Sequence, residues 1–377
     1  MLTRITPCRR WRMTASVILL CLMISSAWVV AAEYPDVGPL PPRKPQDPKA
    51  VEMGKRLFFD DRLSGDEVLN CSSCHDPEMG WGDGNALSPA YPRTDYFRNA
   101  PTLLNTVYKA AFTDVGWGWD GRMGANLNDV VRDQITETTI LNLDMRLLHE
   151  RMKQDPVYVQ MCQEIYGGEC SSGKARKALV AFLETLVSVN TPFDRGDLSP
   201  LATQGQALFT GKAGCIRCHN GPYFSDGKPY NTGVSENLKI FKDPVRHLTY
   251  RAVLTTHGTP RTMRWRRDVG YFIVSKDYAD VGKFITPTLR ELRYTAPYMH
   301  NGVMDTLDDV IEFYNRGGGQ DDPLKTSALQ PLGLTLGEKK ALLAFLQSLS
   351  SPEPITMEPV DVDTSYEAIE NWVNVPN

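Results

Sequence analysis

The chain has 377 residues, which is enough for two domains of ordinary size, and its hydrophobic content of 42% is sufficient to build buried cores. Its 41 Lys and Arg residues are outnumbered by 45 Asp and Glu residues. The resulting net charge of −4 argues against a nucleic-acid-binding protein.

Residues 1–32 have the pattern of a secretory signal peptide. Several Arg side chains precede an apolar stretch at residues 15–30, and Val30-Ala31-Ala32 supplies small residues for cleavage before Glu33. The alternative is an uncleaved membrane anchor, although the apolar stretch is short for a membrane span. We therefore expect an exported protein, located in the bacterial periplasm.

Proline-rich segments and helical patterns alternate along the rest of the chain. Residues 33–48 contain six Pro and predict an extended arm. Hydrophobic spacing predicts helices from about residue 48 and at residues 127–134, 143–158, 173–189 and 335–350. The last of these begins with Thr335 and Glu338 at the spacing of a capping box. A linker is expected at residues 192–200, and a surface or disordered tail at residues 351–377.

The chain is organised around the motif C-x-x-C-H, which occurs at residues 71–75 and again at residues 215–219. In this motif two thiols attach to the vinyl groups of a c-type haem and the adjacent His ligates the iron. A four-Cys zinc site is the alternative, but zinc does not require a His directly after each second Cys. The sequence thus predicts two c-type haems, held by Cys71, Cys74, His75, Cys215, Cys218 and His219.

Two of the eight Cys residues lie outside both the motifs and the signal. Cys162 and Cys170 are close in sequence. In an oxidising compartment such a pair favours a local disulfide.

The order of motifs in the first half repeats in the second. Residues 53–58, 100–103, 119–121 and 127–131 correspond to residues 204–209, 286–289, 300–302 and 307–311. This repeat predicts a mainly α protein with two duplicated cytochrome c-like domains at residues 33–198 and 199–350, each with one covalently bound haem.

The two halves differ at one position. Gln134 follows Leu127 by seven residues, whereas Tyr314 follows Leu307 by seven residues. Tyr can ligate ferric iron as a phenolate, while Gln is a poor iron ligand and a good hydrogen-bond donor. This difference predicts an open haem in the first half and a closed haem in the second. The alternative for Tyr314 is a packing residue on an amphipathic helix.

These motifs together resemble the di-haem cytochrome c peroxidase family over about residues 48–350. The resemblance rests on both C-x-x-C-H motifs and on residues 98–102 (RNAPT), 119–122 (WDGR) and 295–302 (TAPYMHNG). Within the family the chain is similar to the MauG-like branch, which carries Tyr at the position of Tyr314 where other di-haem peroxidases carry Met. Residues 76–98 also lack the His that closes the first haem in those peroxidases.

The resemblance implies roles around the first haem. His75 would be proximal to the open, peroxide-binding haem, and Gln134 would line its distal side. Asp144 matches a Glu that acts as acid and base in the family, although Asp has a shorter reach. Thr138 stands where the family usually has Pro. The alternative for Asp144 is a charge on a helix surface.

The resemblance also implies residues between the two haems. Trp119 matches a Trp that carries electrons between them; an ordinary core aromatic is the alternative, and Trp117 is a weaker candidate. His300 would pack near the second haem without ligating it. Oxygen donors suit calcium, and the implied Ca²⁺ ligands are Asn99, Thr295 and Pro297.

Three functions remain open from the sequence. The first is a MauG-like oxidoreductase that uses H2O2 to store two oxidising equivalents on the haem pair and oxidises an aromatic residue, with Trp expected, of a partner protein. The second is a cytochrome c peroxidase fed by a small cytochrome or cupredoxin. The third is an electron carrier with two closed haems. The basic residues 261–267 predict a solvated loop or, alternatively, a docking surface for an acidic partner.

Overall fold

The structure, a computed structural model, describes residues 34–92, 94–109, 115–124, 126–320 and 322–362. The predicted signal peptide and residues 363–377 of the predicted tail lie outside the described residues. From Pro35 onward the chain forms a single unit. Within the described part, no helix combines the length and the apolar character that crossing a bilayer requires.

Helices dominate both halves of the chain, as predicted. The first half contains α1 (Pro48–Phe58), α2 (Thr106–Lys109), α3 (Leu127–Thr136), α4 (Met145–Gln154), α5 (Pro156–Tyr166) and α6 (Ser172–Leu183). The second half contains α7 (Pro200–Thr210), α8 (Lys239–Lys242), α9 (Pro244–Thr256), α10 (Phe272–Ser275), α11 (Leu307–Asn315) and α12 (Leu336–Ser348). Two short antiparallel pairs join β1 (Pro89–Ala90) to β2 (Thr94–Asp95) and β3 (Pro229–Tyr230) to β4 (Phe284–Ile285).

Capping residues explain most helix boundaries. Thr335 and Glu338 form the predicted capping box of α12. The single helix predicted at residues 143–158 is wrong, because two helices meet at Asp155. Pro156 has no backbone N–H to continue α4, and Asp155 accepts hydrogen bonds from the first amides of α5.

The helix predicted at residues 173–189 ends earlier, at Leu183. Beyond this point the backbone bonds to Asn105 instead. The Asn105 amide donates to the Leu186 carbonyl at 2.8 Å, and its side-chain oxygen accepts from the Ser188 amide at 2.8 Å. Tertiary hydrogen bonds therefore replace those that a longer helix would make.

Two helix pairs pack in the same way, α1 against α6 and α7 against α12. Each pair approaches closely at a glycine. A Cβ atom on Gly54 would lie 2.0 Å from the Ala178 carbonyl oxygen, and one on Gly205 would lie 2.0 Å from the Ala341 carbonyl oxygen. Only glycine allows such close contact between helices.

The described residues form three large hydrophobic cores and a small cluster of Val107, Tyr108 and Tyr223. The first surrounds α1 and α3–α6, and another surrounds α7, α11 and α12. A third lies at α8–α10 and takes in Leu87 and Phe97 from the first half. No helix was predicted where α8 and α9 occur, although these helices build the third core.

The arm and the tail both lie against these cores. In the arm, the Pro41 carbonyl accepts from the Tyr108 hydroxyl at 2.9 Å and the Gly38 carbonyl accepts from Arg290 at 3.0 Å. In the tail, the Ile355 carbonyl accepts from the Trp81 indole at 2.6 Å. The described part of the tail therefore packs on the first core.

Candidate di-haem site

The first C-x-x-C-H motif is a short 3-10 turn, Cys71–Ser73. Asn70 caps it, accepting a hydrogen bond from the Ser73 amide at 3.2 Å, and the Ser73 hydroxyl accepts in return from the Asn70 amide at 3.1 Å. His75 follows, with Nδ1 3.0 Å from the Trp81 carbonyl oxygen. This contact fixes the ring and leaves Nε2 as the nitrogen available to a metal.

The second motif repeats this geometry without a side-chain cap. Its turn, Cys215–Arg217, leads to His219, whose Nδ1 lies 3.0 Å from the Phe224 carbonyl oxygen. Burial lowers the pKa of both His75 and His219. Both rings are therefore in the neutral form that ligates iron.

The motif thiols are unlinked. Cys71, Cys74, Cys215 and Cys218 are free, and burial raises the pKa of the first three to about 12 and that of Cys218 to about 11. Cys71 packs on the first core and Cys215 on the core of α7 and α12. No described cluster of three or more His, Cys, Asp or Glu could hold a metal ion, so the four-Cys zinc alternative is wrong for the described residues.

Both sites fit a c-type haem. Each half presents a pair of protonated, unlinked thiols beside an oriented neutral His, which is the donor set that covalent haem attachment requires. The other two described cysteines, Cys162 and Cys170, form the predicted disulfide.

The helices α3 and α11 carry the residues that differ between the halves. Asn126 caps α3 and Thr306 caps α11, and Gln134 and Tyr314 each lie eight residues after the cap. Burial raises the pKa of Tyr314. Ile311 of the same helix belongs to the core on which Cys215 packs, so α11 and the second motif share one core. Gln134 is half-buried.

The structure places Asp144 at the start of α4, and its catalytic role stays a prediction. Asp144 caps α4 by accepting from the Arg146 amide at 2.7 Å, and its carboxylate pairs with the Arg146 guanidinium at 2.6 Å. These contacts lower the pKa of Asp144 to about 2, and its side chain is 48% exposed. It sits as a charge at the end of a helix, which was the alternative considered above.

A different carboxylate, missed by the sequence analysis, lies at the end of α3. Glu137 is three residues after Gln134, and its side chain is only 11% exposed. Its carboxylate lies 3.9 Å from His257 Nε2 and borders a cleft of about 320 Å³ that Arg122 and Asp133 also line. The position of Glu137, three residues after Gln134, was the sequence signal that could have identified this carboxylate.

Trp119 lies between the two halves. Its indole donates to the Asn99 carbonyl at 2.9 Å, and its own carbonyl accepts from the Ile285 amide at 2.8 Å. The ring centroid is 6.5 Å from that of His300. The residue predicted to connect the haems therefore contacts both parts of the chain.

His300 is buried and stacks on Phe284, with ring centroids 3.6 Å apart. Burial lowers the pKa of His300 to about 3. It is therefore neutral at physiological pH and packs as a flat ring beside Trp119.

Trp117, the rival candidate, has a cation over its ring. The ammonium of Lys109 lies 5.3 Å from the Trp117 ring centroid. A positive charge in this position disfavours removing an electron from Trp117. The electrostatics therefore favour Trp119 as the residue that passes electrons.

A buried ion network surrounds this region and was not predicted. Arg98 donates to Asp120 at 2.5 Å and to Asp268 at 2.7 Å, and Arg122 donates to Asp120 at 2.7 Å. Burial alone would raise the pKa of Asp120, but the two guanidinium groups outweigh it and hold that pKa far below its usual range. The network joins the two halves beside Trp119.

The predicted calcium ligands lie on two segments, one from each half, that are joined by a backbone hydrogen bond. The Asn99 amide donates to the His300 carbonyl at 2.9 Å, and its side-chain nitrogen donates to the Asn85 carbonyl at 2.7 Å. Thr295 and Pro297 precede His300 on the same loop, and Thr295 lies beside Gly80. Asn99, Thr295 and Pro297 thus remain a predicted site.

Comparisons with known proteins agree with this geometry. A family model described as di-haem cytochrome c peroxidase matches residues 48–198. Cytochrome-c peroxidase IdrP2 of Denitromonas iodatirespirans is 47% identical, covering 92% of this chain and 94% of that protein. The methylamine utilization protein MauG of Methylorubrum extorquens is 34% identical, covering 86% and 84%. A crystal structure of a MauG-like protein associated with microbial copper homeostasis superposes with a TM-score of 0.68 at 24% identity, covering 88% of this chain and 97% of that one, which shows a shared fold.

Proposed function

The chain belongs to the di-haem cytochrome c peroxidase family, and on this premise we propose that it is a periplasmic peroxidase that reduces hydrogen peroxide with electrons from a partner protein. Membership implies two c-type haems and H2O2 as a substrate. The haems supply the redox chemistry when bound. The chain orients them, keeps one coordination position open and carries electrons between them.

The observation that carries the proposal is the 47% identity to a cytochrome-c peroxidase, and the difference between Gln134 and Tyr314 supports the open peroxide site that both candidate functions need. Both residues lie eight positions after a helix cap, in helices that pack on the two haem-motif cores. A buried phenol on a helix that shares a core with the second motif suits a closed second haem, which transfers electrons without binding substrate. An amide at the first site leaves room for peroxide and can donate a hydrogen bond to it.

The two duplicated domains belong to the same proposal. The matching glycine contacts of Gly54 and Gly205, together with the matching carbonyl contacts of His75 and His219, support a common ancestor for the two halves. Trp119 would connect the two haems, and Ca²⁺ at Asn99, Thr295 and Pro297 would tie together the loops on which it rests.

The test is steady-state consumption of H2O2 by the full holoprotein, with a reduced small c-type cytochrome or cupredoxin as donor. We expect two donor molecules oxidised for each H2O2, and loss of turnover in Trp119→Phe. The matched control is Tyr166→Phe, which changes an aromatic residue at the end of α5, outside the inter-haem region. Absence of turnover with every protein donor and with small-molecule donors would contradict the proposal.

The second candidate is MauG-like oxidation of a Trp residue on a partner protein, which the sequence analysis placed first. Tyr314 and the absence of His from residues 76–98 favour it. The 47% identity to a protein named cytochrome-c peroxidase favours the first candidate. A mass change on a Trp of a co-purified partner after peroxide addition, without rapid donor turnover, would select the second.

A further inference from the structure

A basic surface lies on the second half, on the segment where a loop was expected. Residues 238–267 carry eight Lys and Arg against one Asp, although the whole chain has a net charge of −4. Arg246 and Arg267 pair with carboxylates. Five other cations are exposed, and none has a carboxylate partner among the described residues. We call them the basic surface: Lys239, Lys242, Arg261, Arg264 and Arg266.

Three elements that carry these residues are packed together. The Phe241 ring of α8 lies 5.9 Å from the His247 ring of α9. Arg251 of α9 donates to the Trp265 carbonyl at 2.6 Å, just after the 3-10 turn Thr262–Arg264. The charge of Arg266 also acts on Arg251. The cations therefore belong to one connected part of the fold.

Positive charge continues beneath this surface. Arg251 is only 6% exposed, and within the described ranges it has no carboxylate partner. Its guanidinium donates instead to His247 Nε2 at 2.9 Å and to the Trp265 carbonyl, while Nη1 has no hydrogen-bond partner among the described residues. An uncompensated buried charge is unfavourable. An approaching anionic protein would lower this electrostatic cost.

Apolar side chains stand among the cations. Leu248 is 69% exposed and Met263 is 73% exposed. Trp265, which is half-buried and follows Met263 by two residues, packs on Phe272 with ring centroids 5.2 Å apart. Apolar anchors of this kind, with Arg around them, are typical of protein interfaces rather than of solvated loops.

A continuous run of aromatic rings leads inward from this surface. Successive ring centroids are 5.7, 5.3 and 4.6 Å apart along Phe241, Tyr250, Phe97 and Tyr96. The Tyr96 hydroxyl then accepts from Arg122, which donates to Asp120, the neighbour of Trp119. Because these rings pack against one another, an electron can pass from ring to ring without crossing solvent.

We propose that the basic surface docks an acidic redox protein and that this protein is the electron donor. The inference rests on the proposed function. Two contacts with reduced partner supply two electrons, which with two protons convert one H2O2 to two water molecules, and each partner molecule leaves oxidised by one electron. The aromatic run gives the electrons a route to the inter-haem region.

Binding to a defined acidic probe tests the proposal. Reduced plastocyanin, an acidic cupredoxin, is titrated into the full holoprotein by calorimetry at about 20 mM and about 200 mM salt. The variant Lys242→Glu/Arg264→Glu reverses two exposed cations that make no side-chain hydrogen bond among the described residues. The matched control, Lys177→Glu/Lys340→Glu, makes the same charge change on exposed positions of α6 and α12.

The proposal predicts salt-sensitive binding that is weakened about tenfold or more by Lys242→Glu/Arg264→Glu and less than about twofold by the control. Equal weakening in both variants, or binding that salt does not affect, overturns it. Two further results overturn the proposal. One is sedimentation that shows a dimer of this chain which Lys242→Glu/Arg264→Glu abolishes. The other is selective binding to phosphatidylglycerol vesicles that plastocyanin does not displace.

Peroxide consumption with hydroquinone, a neutral small electron donor, distinguishes failure of the proposed peroxidase function from failure of the proposed docking surface. This reaction needs no docking surface. Turnover with hydroquinone alongside failed binding of plastocyanin rejects the basic surface and leaves the proposed function standing. Binding of plastocyanin without peroxide consumption, either with reduced plastocyanin or with hydroquinone as donor, rejects the proposed function.

Discussion

Arg98 and Asp268 form a fully buried ion pair between the two halves of the chain, 170 residues apart in sequence. The guanidinium Nε and Nη2 each donate to one carboxylate oxygen at 2.7 Å. Because Asp120 bonds to the same guanidinium, a single Arg compensates two buried carboxylates beside Trp119. The position of the inter-haem region thus depends on this network.

Removing this guanidinium should destabilise the protein. We expect Arg98→Met to lower the free energy of unfolding by about 3–5 kcal/mol, since buried Asp268 loses its guanidinium partner and buried Asp120 keeps only Arg122. Urea denaturation measures the change. The control is Arg146→Met, which breaks the exposed pair with Asp144 and should cost less than about 1 kcal/mol. Equal effects would contradict the role assigned to Arg98.

The close helix contacts at glycine should not tolerate a methyl group. Gly54→Ala and Gly205→Ala each place a Cβ 2.0 Å from a carbonyl oxygen, so we expect each to destabilise by about 1–3 kcal/mol. Gly337→Ala is the control, because nothing lies within 4 Å of its Cβ position. That change should stabilise by less than about 1 kcal/mol. Thermal unfolding distinguishes these outcomes.

Glu236 should make stability depend on pH. Burial, with the charge of Asp268, raises the pKa of Glu236 to about 7, while an unfolded Glu titrates near about 4.3. The folded protein therefore binds more protons in this window, and its stability falls as pH rises, by at most about 1.4 kcal/mol per pH unit. Glu236→Gln should remove this slope in urea titrations at pH 5, 6 and 7.

Glu353→Gln serves as the control for that measurement. Glu353 is exposed, so its removal should leave the slope between pH 5 and pH 7 unchanged. A wild-type slope that persists in Glu236→Gln would show that another group is responsible.

The two haem sites should load independently. Cys71→Ala/Cys74→Ala should reduce covalent haem from two groups to one per chain, because the second motif belongs to a different core. Cys162→Ala/Cys170→Ala removes the disulfide instead and should retain both. The pyridine haemochrome spectrum and the intact mass measure haem content. Loss of both haems from the first variant would contradict separate sites.

Local spacing explains what the sequence predicted well. The C-x-x-C-H motifs, the Cys162–Cys170 disulfide and the capping box at Thr335 involve residues close in the chain, so their geometry follows from short-range chemistry. The pair that Asp144 forms with its neighbour Arg146 is also local, but it leaves the predicted acid and base role of Asp144 untested.

Long-range contacts account for the features that were not predicted from the sequence. Arg98 and Asp268 meet only after folding, and nothing in either local sequence indicates the other. Helices α8 and α9 were not predicted either, and their buried residues Ile240 and Tyr250 pack in the third core against Phe97 from the first half.

The most direct test of the central claim is the electron paramagnetic resonance spectrum of the diferric holoprotein. The account predicts one high-spin haem, open beside Gln134, and one low-spin haem ligated by His219 and Tyr314. Tyr314→Phe should remove the low-spin signal alone. A wild-type spectrum with two low-spin haems, or a low-spin signal unchanged in Tyr314→Phe, would contradict it.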